Sequence, residues 1–137
     1  MSTFKLEIVA TDKIFFSGDA EFVTLPALDG EMGIMPEHDT MVVAVKAGEL
    51  RYTVNGTVND CAVGDGFAEI LGDRVTVICD FAEHDFDIDV MRAESAKERA
   101  EERIKAKRSQ IEYVHSQAAL ARAMARLKVT SKMKQNR

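Results

Sequence analysis

Between residues 4 and 79 the apolar positions tend to recur every second residue, and past residue 87 they recur every third or fourth. Phe4, Leu6 and Ile8 alternate with Lys5 and Glu7, which sets one apolar row on a single face of a half-buried strand. Thr11-Asp12-Lys13 and Ser17-Gly18-Asp19 supply turns. Leu50, Tyr52 and Val54 lead into Asn55-Gly56, a pair that tolerates the two successive positive φ values of a type I′ turn, and Val58 to Val63 reads as the return strand. Gly64-Asp65-Gly66 and Gly72-Asp73 punctuate two further segments, Phe67 to Leu71 and Val75 to Cys79. Short strands at this spacing predict an all-β sandwich or flattened barrel.

The longer period belongs to helices. All 8 glycines and both prolines precede residue 73, so nothing in the second half punctuates a helix. Asp87 or Asp89 stands where an N-cap is needed. Ala93, Ala96, Ala100 and Ile104 form a narrow stripe beside the pairs Lys97 with Glu101 and Glu101 with Lys105. Ser109-Gln110-Ile111-Glu112 fits a capping box, which places a break at residues 107–109 and folds two helices into a hairpin. Along the second helix Tyr113, Gln117, Leu120, Met124 and Leu127 share one side, and Ala118, Ala121 and Ala125 another. Alanine faces bury little area, so at about 25 cal/mol per Å² the hairpin is marginal alone. The expectation is an α+β chain of two domains: a β-sandwich docking domain over 1–87, then an antiparallel two-helix regulatory hairpin over 88–137.

Charge sharpens that division. Residues 1–87 hold 5 Lys+Arg against 17 Asp+Glu, a net of −12, whereas residues 88–137 hold 13 against 6, a net of +7. Opposite signs imply different partners for the two halves. No apolar run approaches the roughly 20 residues of a membrane span, and the charged, alternating start reads as unexported. Cys61 and Cys79, eighteen positions apart with no CxxC and no neighbouring His, read as buried free thiols. His38, His84 and His115 are scattered, and no nucleophile elbow, zinc-protease motif or phosphate-cradling glycine loop occurs, which excludes independent catalysis. The alternating acids Asp80, Glu83, Asp85, Asp87 and Asp89 fit a solvated extended connector, since they lack the glycine and terminal glutamate of a calcium loop.

The segment Gly30-Glu31-Met32-Gly33-Ile34-Met35-Pro36-Glu37-His38 is a structured loop between strands that exposes Glu31 and His38. It also resembles a motif of the epsilon subunits of bacterial F-type ATP synthases. Lys46-Ala47-Gly48-Glu49-Leu50-Arg51, the stretch from Val75-Thr76-Val77 to Ala82-Glu83, and Ile88-Asp89-Val90-Met91-Arg92-Ala93 with Ala96 to Glu101 resemble further parts of that family. Together these matches cover nearly the whole chain. Glu37 before His38, and Asp39-Thr40-Met41-Val42 after it, depart from the family pattern.

The resemblance implies a non-catalytic rotor subunit of a proton- or sodium-translocating synthase, peripheral on the cytoplasmic face of the cell membrane, with membrane contact only through the complex and no nucleic acid partner. It implies docking on the gamma subunit and the c-ring, Glu31 and His38 being the partner-binding positions. It further implies a hairpin that extends to meet the alpha and beta subunits and inhibits ATP hydrolysis. Two helices of about 18 residues laid end to end span roughly 55 Å, enough reach for that. No cofactor is required, but the family's nucleotide motif implies a regulatory ATP at Glu83, Ile88, Asp89, Arg92, Ala93, Arg99, Arg122 and Arg126. On the residues alone, folding the hairpin gathers up to four arginines along one seam, whose repulsion an anion would relieve. The other reading is a β-sandwich adaptor with a basic helical partner-binding tail.

Overall fold

A computed structural model of the chain describes residues 2–106 and 109–135, with side chains through Ser131. Ten strands precede two helices: β1 (Phe4–Ala10), β2 (Ile14–Ala20), β3 (Phe22–Ala27), β4 (Gly30–Ile34), β5 (Met41–Val45), β6 (Gly48–Val54), β7 (Thr57–Val63), β8 (Gly66–Ile70), β9 (Arg74–Cys79), β10 (Ala82–His84), α1 (Val90–Ala106) and α2 (Gln110–Gln135). The strands run in the order β10-β7-β6-β3-β5-β8-β9-β1-β2, with β4 added to β3, and wrap into a sandwich close to a closed barrel. The pairings are antiparallel except one: β1 lies parallel to β9, Lys5 opposite Arg74 through Ala10 opposite Cys79.

The alternation read from the sequence becomes the core. Phe4, Leu6, Ile8, Leu25, Leu50, Ile70, Val75 and Val77 turn inward and are buried, while Lys5 and Glu7 lie at the surface. The β6–β7 turn is the expected hairpin, with Asn55 at φ 50° and Gly56 at φ 78°. Gly66 answers a different need. A Cβ there would stand 1.8 Å from the Ile78 carbonyl oxygen, because β8 and β9 approach closely at that pair. Burial raises the thiols of Cys61 and Cys79 above their ordinary range, Cys79 to about 11, so both sit in the core as neutral thiols.

The acidic stretch after residue 80 is not simply an extended surface connector. Ala82–His84 pairs with β7 as a tenth strand, and Asp85–Asp87 forms a single 3₁₀ turn before α1. Backbone pairing with Cys61 to Val63 outweighs the charge of the segment.

The helices fold back on the sandwich, α2 lying along β6 and β7 and against α1. The Ser109 hydroxyl accepts the Glu112 amide at 3.1 Å, the first half of the expected capping box, whereas residues 107–108 of the expected break lie outside the described residues. The buried face of α1 is the expected alanine stripe, Ala93 and Ala100. In α2 the burial differs from expectation: Tyr113 and Met124 are exposed, and among the described side chains the buried ones are Ser116, Ala123, Ala125, Val129 and Thr130. Two surfaces press on α2 at once, so small side chains on more than one side fit better than a single Leu-bearing stripe. Val129 meets Ala62 of β7, Ile88 and Phe81 in a small apolar cluster.

Candidate functional site

Where β10, the start of α1 and the middle of α2 converge, a cleft of about 380 Å³ opens, within the range of small-molecule sites. Its lining includes Glu83, Asp89, Arg92, Ala93, Arg99 and Arg126, together with Asp87 and Ala96. Six of the eight residues expected for a nucleotide therefore meet here. Ile88 is buried in the cluster with Ala62 and Val129, behind the surface, and Arg122 is half-buried on α2 outside the lining.

Local structure explains each placement. Asp89 caps α1, its carboxylate accepting the Arg92 amide at 3.1 Å, which fixes the first turn of the helix. Arg92, Ala96 and Arg99 recur at helical spacing on the turns that follow, so they share the face that lines the cleft. Arg126 reaches across from α2. Its Nε and one terminal nitrogen donate to the two oxygens of Glu83, each at 2.9 Å, and its guanidinium carbon lies 4.1 Å from the centre of the Phe81 ring. A bidentate pair stacked on an aromatic face is the geometry arginine satisfies best.

The seam of cations expected from the sequence is thus not left uncompensated. Glu83, Asp87 and Asp89 stand in the same cleft as Arg92, Arg99 and Arg126, so the carboxylates balance the guanidinium groups. Glu83 was expected at the site; its role as the resting partner of Arg126 was not, because the two lie 43 residues apart and only the tertiary fold joins them. Phe81, Asp87 and Ala96 were missed. The one signal was the spacing of the acids Glu83, Asp85, Asp87 and Asp89, which read as extended chain and so would place Phe81 and Glu83 on a common side. Among the described residues no cluster of three or more His, Cys, Asp and Glu could hold a metal ion. Once Glu83 is displaced, the arrangement can offer three guanidinium groups to an anion.

Glu31 and His38 lie outside the cleft. Glu31, on β4, pairs with Arg51, which also donates to the buried Glu49 at 2.6 Å. Burial would lower the Arg51 pKa, but the hydrogen bonds and charges of Glu49 and Glu31 outweigh it and hold the guanidinium above its ordinary value. His38 is tied into its own loop, Nδ1 donating to the Met35 carbonyl while the ring stands edge-on to Phe4 at 5.5 Å.

Residues 3–85 match the family described as ATP synthase, Delta/Epsilon chain, beta-sandwich domain, and residues 87–131 match its long alpha-helix domain. The ATP synthase epsilon chain of Ruminiclostridium cellulolyticum is 48% identical over 132 residues, 96% of this chain and 98% of that one. That of Syntrophobacter fumaroxidans is 43% identical, over 93% and 96% of the two chains. Among solved structures, a chain of the Euglena gracilis mitochondrial ATP synthase shares the fold with a TM-score of 0.82 at 19% identity, over 93% of this chain and 81% of that one. A chain of the Tetrahymena thermophila mitochondrial ATP synthase central stalk and c-ring matches with a TM-score of 0.62 at 11% identity, over 94% and 97%.

Proposed function

The chain belongs to the family of ATP synthase delta and epsilon chains, as an epsilon subunit of the central stalk of an F-type enzyme, and on that footing we propose that its helical hairpin restrains ATP hydrolysis by the complex and that ATP in the cleft holds the hairpin folded. One observation carries this reading: the cleft takes Glu83 from the sandwich, Asp89, Arg92 and Arg99 from α1 and its cap, and Arg126 from α2. A ligand stabilises only the state that makes its site, and extension of the helices would take this site apart. The polyphosphate would replace the Glu83 carboxylate at Arg126 and draw in Arg92 and Arg99, while Asp89 keeps the turn beneath them in place. At a hundredfold excess over the dissociation constant such binding favours the folded hairpin by about 2.7 kcal/mol.

In this reading the chain performs no chemistry of its own and transmits torque. An exposed row on the outer sheet face, Ala44 of β5, Phe67 of β8 and Ile78 of β9, offers the apolar surface on which the gamma subunit docks. Glu31, at the β3–β4 end, faces the c-ring. Released from the sandwich, helices of 17 and 26 residues would reach roughly 65 Å, toward the alpha and beta subunits. No helix of the described residues is long and apolar enough to cross a membrane. In the proposed reading the chain is held peripherally at the cytoplasmic face by its partners.

Calorimetry of the full chain with millimolar ATP tests the nucleotide half. Binding that weakens at least tenfold in both Arg126→Ala and Asp89→Ala is expected, and no heat with the native chain sinks it. The inhibitory half is tested in the reconstituted complex, where a chain ending at Asp87 should assemble and raise ATP hydrolysis; an unchanged rate sinks that half alone.

A further inference from the structure

A second cavity lies on another side of α2, where the helix passes the β3–β4 and β5–β6 turns. It is an open groove of about 550 Å³ and is mostly apolar: Pro26, Ala27 and Gly48 supply the sandwich side, and Ala121, Met124 and Ala125 supply the helix side. The residues Ala121, Met124, Ala125 and Lys128 fall at i, i+3, i+4 and i+7, a continuous stripe of the helix. The space exists because both walls are built from small residues. It cannot close from the sandwich side at residue 48, where a Cβ would come within 2.9 Å of the Pro26 Cβ. Met124 is 51% exposed within this stripe, an unbranched side chain free to move over an occupant.

The rim fixes the sign of that occupant. Glu31 and Glu49 border the groove, but both are bonded to Arg51. Lys46 and Lys128 also border it, and among the described residues no carboxylate lies within 4.0 Å of either ammonium. An apolar trough with two lysines at its edge suits a molecule with an alkyl chain and one negative head. We propose that this groove binds a free single-chain anionic amphiphile of the long-chain carboxylate class, the chain lying between Pro26, Ala27 and Met124 and the head between Lys46 and Lys128. The site is separate from the arginine cleft and holds independently of the nucleotide reading. Because one wall is sandwich and the other is α2, an occupied groove also pins the helix to the sheet.

The test titrates the full chain with octanoate, decanoate and dodecanoate below their micelle-forming concentrations. Saturable one-to-one binding is expected, tightening about fourfold with each added methylene until the groove is filled. Met124→Trp should fill the trough and abolish binding. The double variant Lys46→Gln, Lys128→Gln alters only exposed positions, so it should fold even if the tryptophan variant does not; it should weaken decanoate at least tenfold and leave decanol unchanged. Bound decanoate should slow amide exchange in α2. Non-saturable uptake, equal affinity for decanoate and decanol, binding to anionic vesicles without binding of monomers, or affinity indifferent to the lysine pair overturns the proposal.

Discussion

The sandwich and the hairpin are held by different chemistry, although they share one chain. The sandwich buries Leu6, Ile8, Leu25, Leu50, Ile70, Val75 and Val77 completely or nearly so, and each large apolar side chain contributes about 1.5–3 kcal/mol. The hairpin buries Ala93, Ala100, Ala123 and Ala125, with Val129 its only large and fully buried apolar residue among those described. An alanine methyl contributes a fraction of what a leucine does. To that small buried area the docked helices add one positioned pair, Glu83 with Arg126 over Phe81. A strong apolar core makes a rigid platform, whereas small residues and one ion pair hold the helices to it more weakly, and the difference is set by side-chain size more than by secondary structure.

The contrast breaks most sharply inside the sandwich. Leu25→Ala should cost about 3 kcal/mol in chemical denaturation, a loss no single alanine-face substitution in the hairpin should match. Next in size is an alkaline effect confined to the core. Burial first, then Asp80, lifts Cys79 from 9.0 to about 11; burial first, then Cys61 and Asp85, lifts Tyr52 from 10.0 to about 12. The folded state holds these protons more tightly than the unfolded one. Their contribution is therefore complete below about pH 9 and is lost as pH rises toward 11 and 12, on the order of 2 kcal/mol per group. Denaturation midpoints between pH 8 and pH 11 should fall accordingly, and less so in Cys79→Ala.

Smaller still is the hairpin latch. Arg126→Ala should destabilise the docked helices by about 1 kcal/mol, the scale of a half-exposed bidentate pair. It should speed amide exchange in α2 while leaving β6 and β7 unchanged. If cation repulsion governed the seam the sign would reverse, so this measurement separates the two accounts. The smallest effect should follow the largest change in the chain. Ending it at Asp87 should leave the sandwich's denaturation midpoint within the equivalent of about 1 kcal/mol, because α1 and α2 add little to the main apolar core.

The contrast itself was legible in the sequence because it rests on period and residue size. Alternation at Phe4, Leu6 and Ile8, the Asn55-Gly56 turn and the glycine-free second half act over a few residues, where local rules apply. Asp89 as a cap was legible for the same reason. What could not be read required distance. Glu83 and Arg126 are joined by packing of α2 along β7, and the weak periodicity of α2 hid which of its faces would be buried. The tenth strand escaped notice because Ala82, Glu83 and His84 are too few to establish a period, and only a partner edge on β7 makes them a strand.

The parallel pairing of β1 with β9 sets an order of events during synthesis. Lys5 to Ala10 find one neighbour at once in β2, but the other is residues 74 to 79, so the first strand must wait for most of the sandwich to be made before its second edge is covered. Such a closure is slow compared with helix formation, because a long loop must be ordered before the contacts it permits are gained. Until then Ile8 and Leu6 present their apolar faces to whatever is near. A chain released early, anywhere before β9, would carry an open sheet edge suited to pairing with a second copy, whereas one released after residue 79 already holds every strand of that edge.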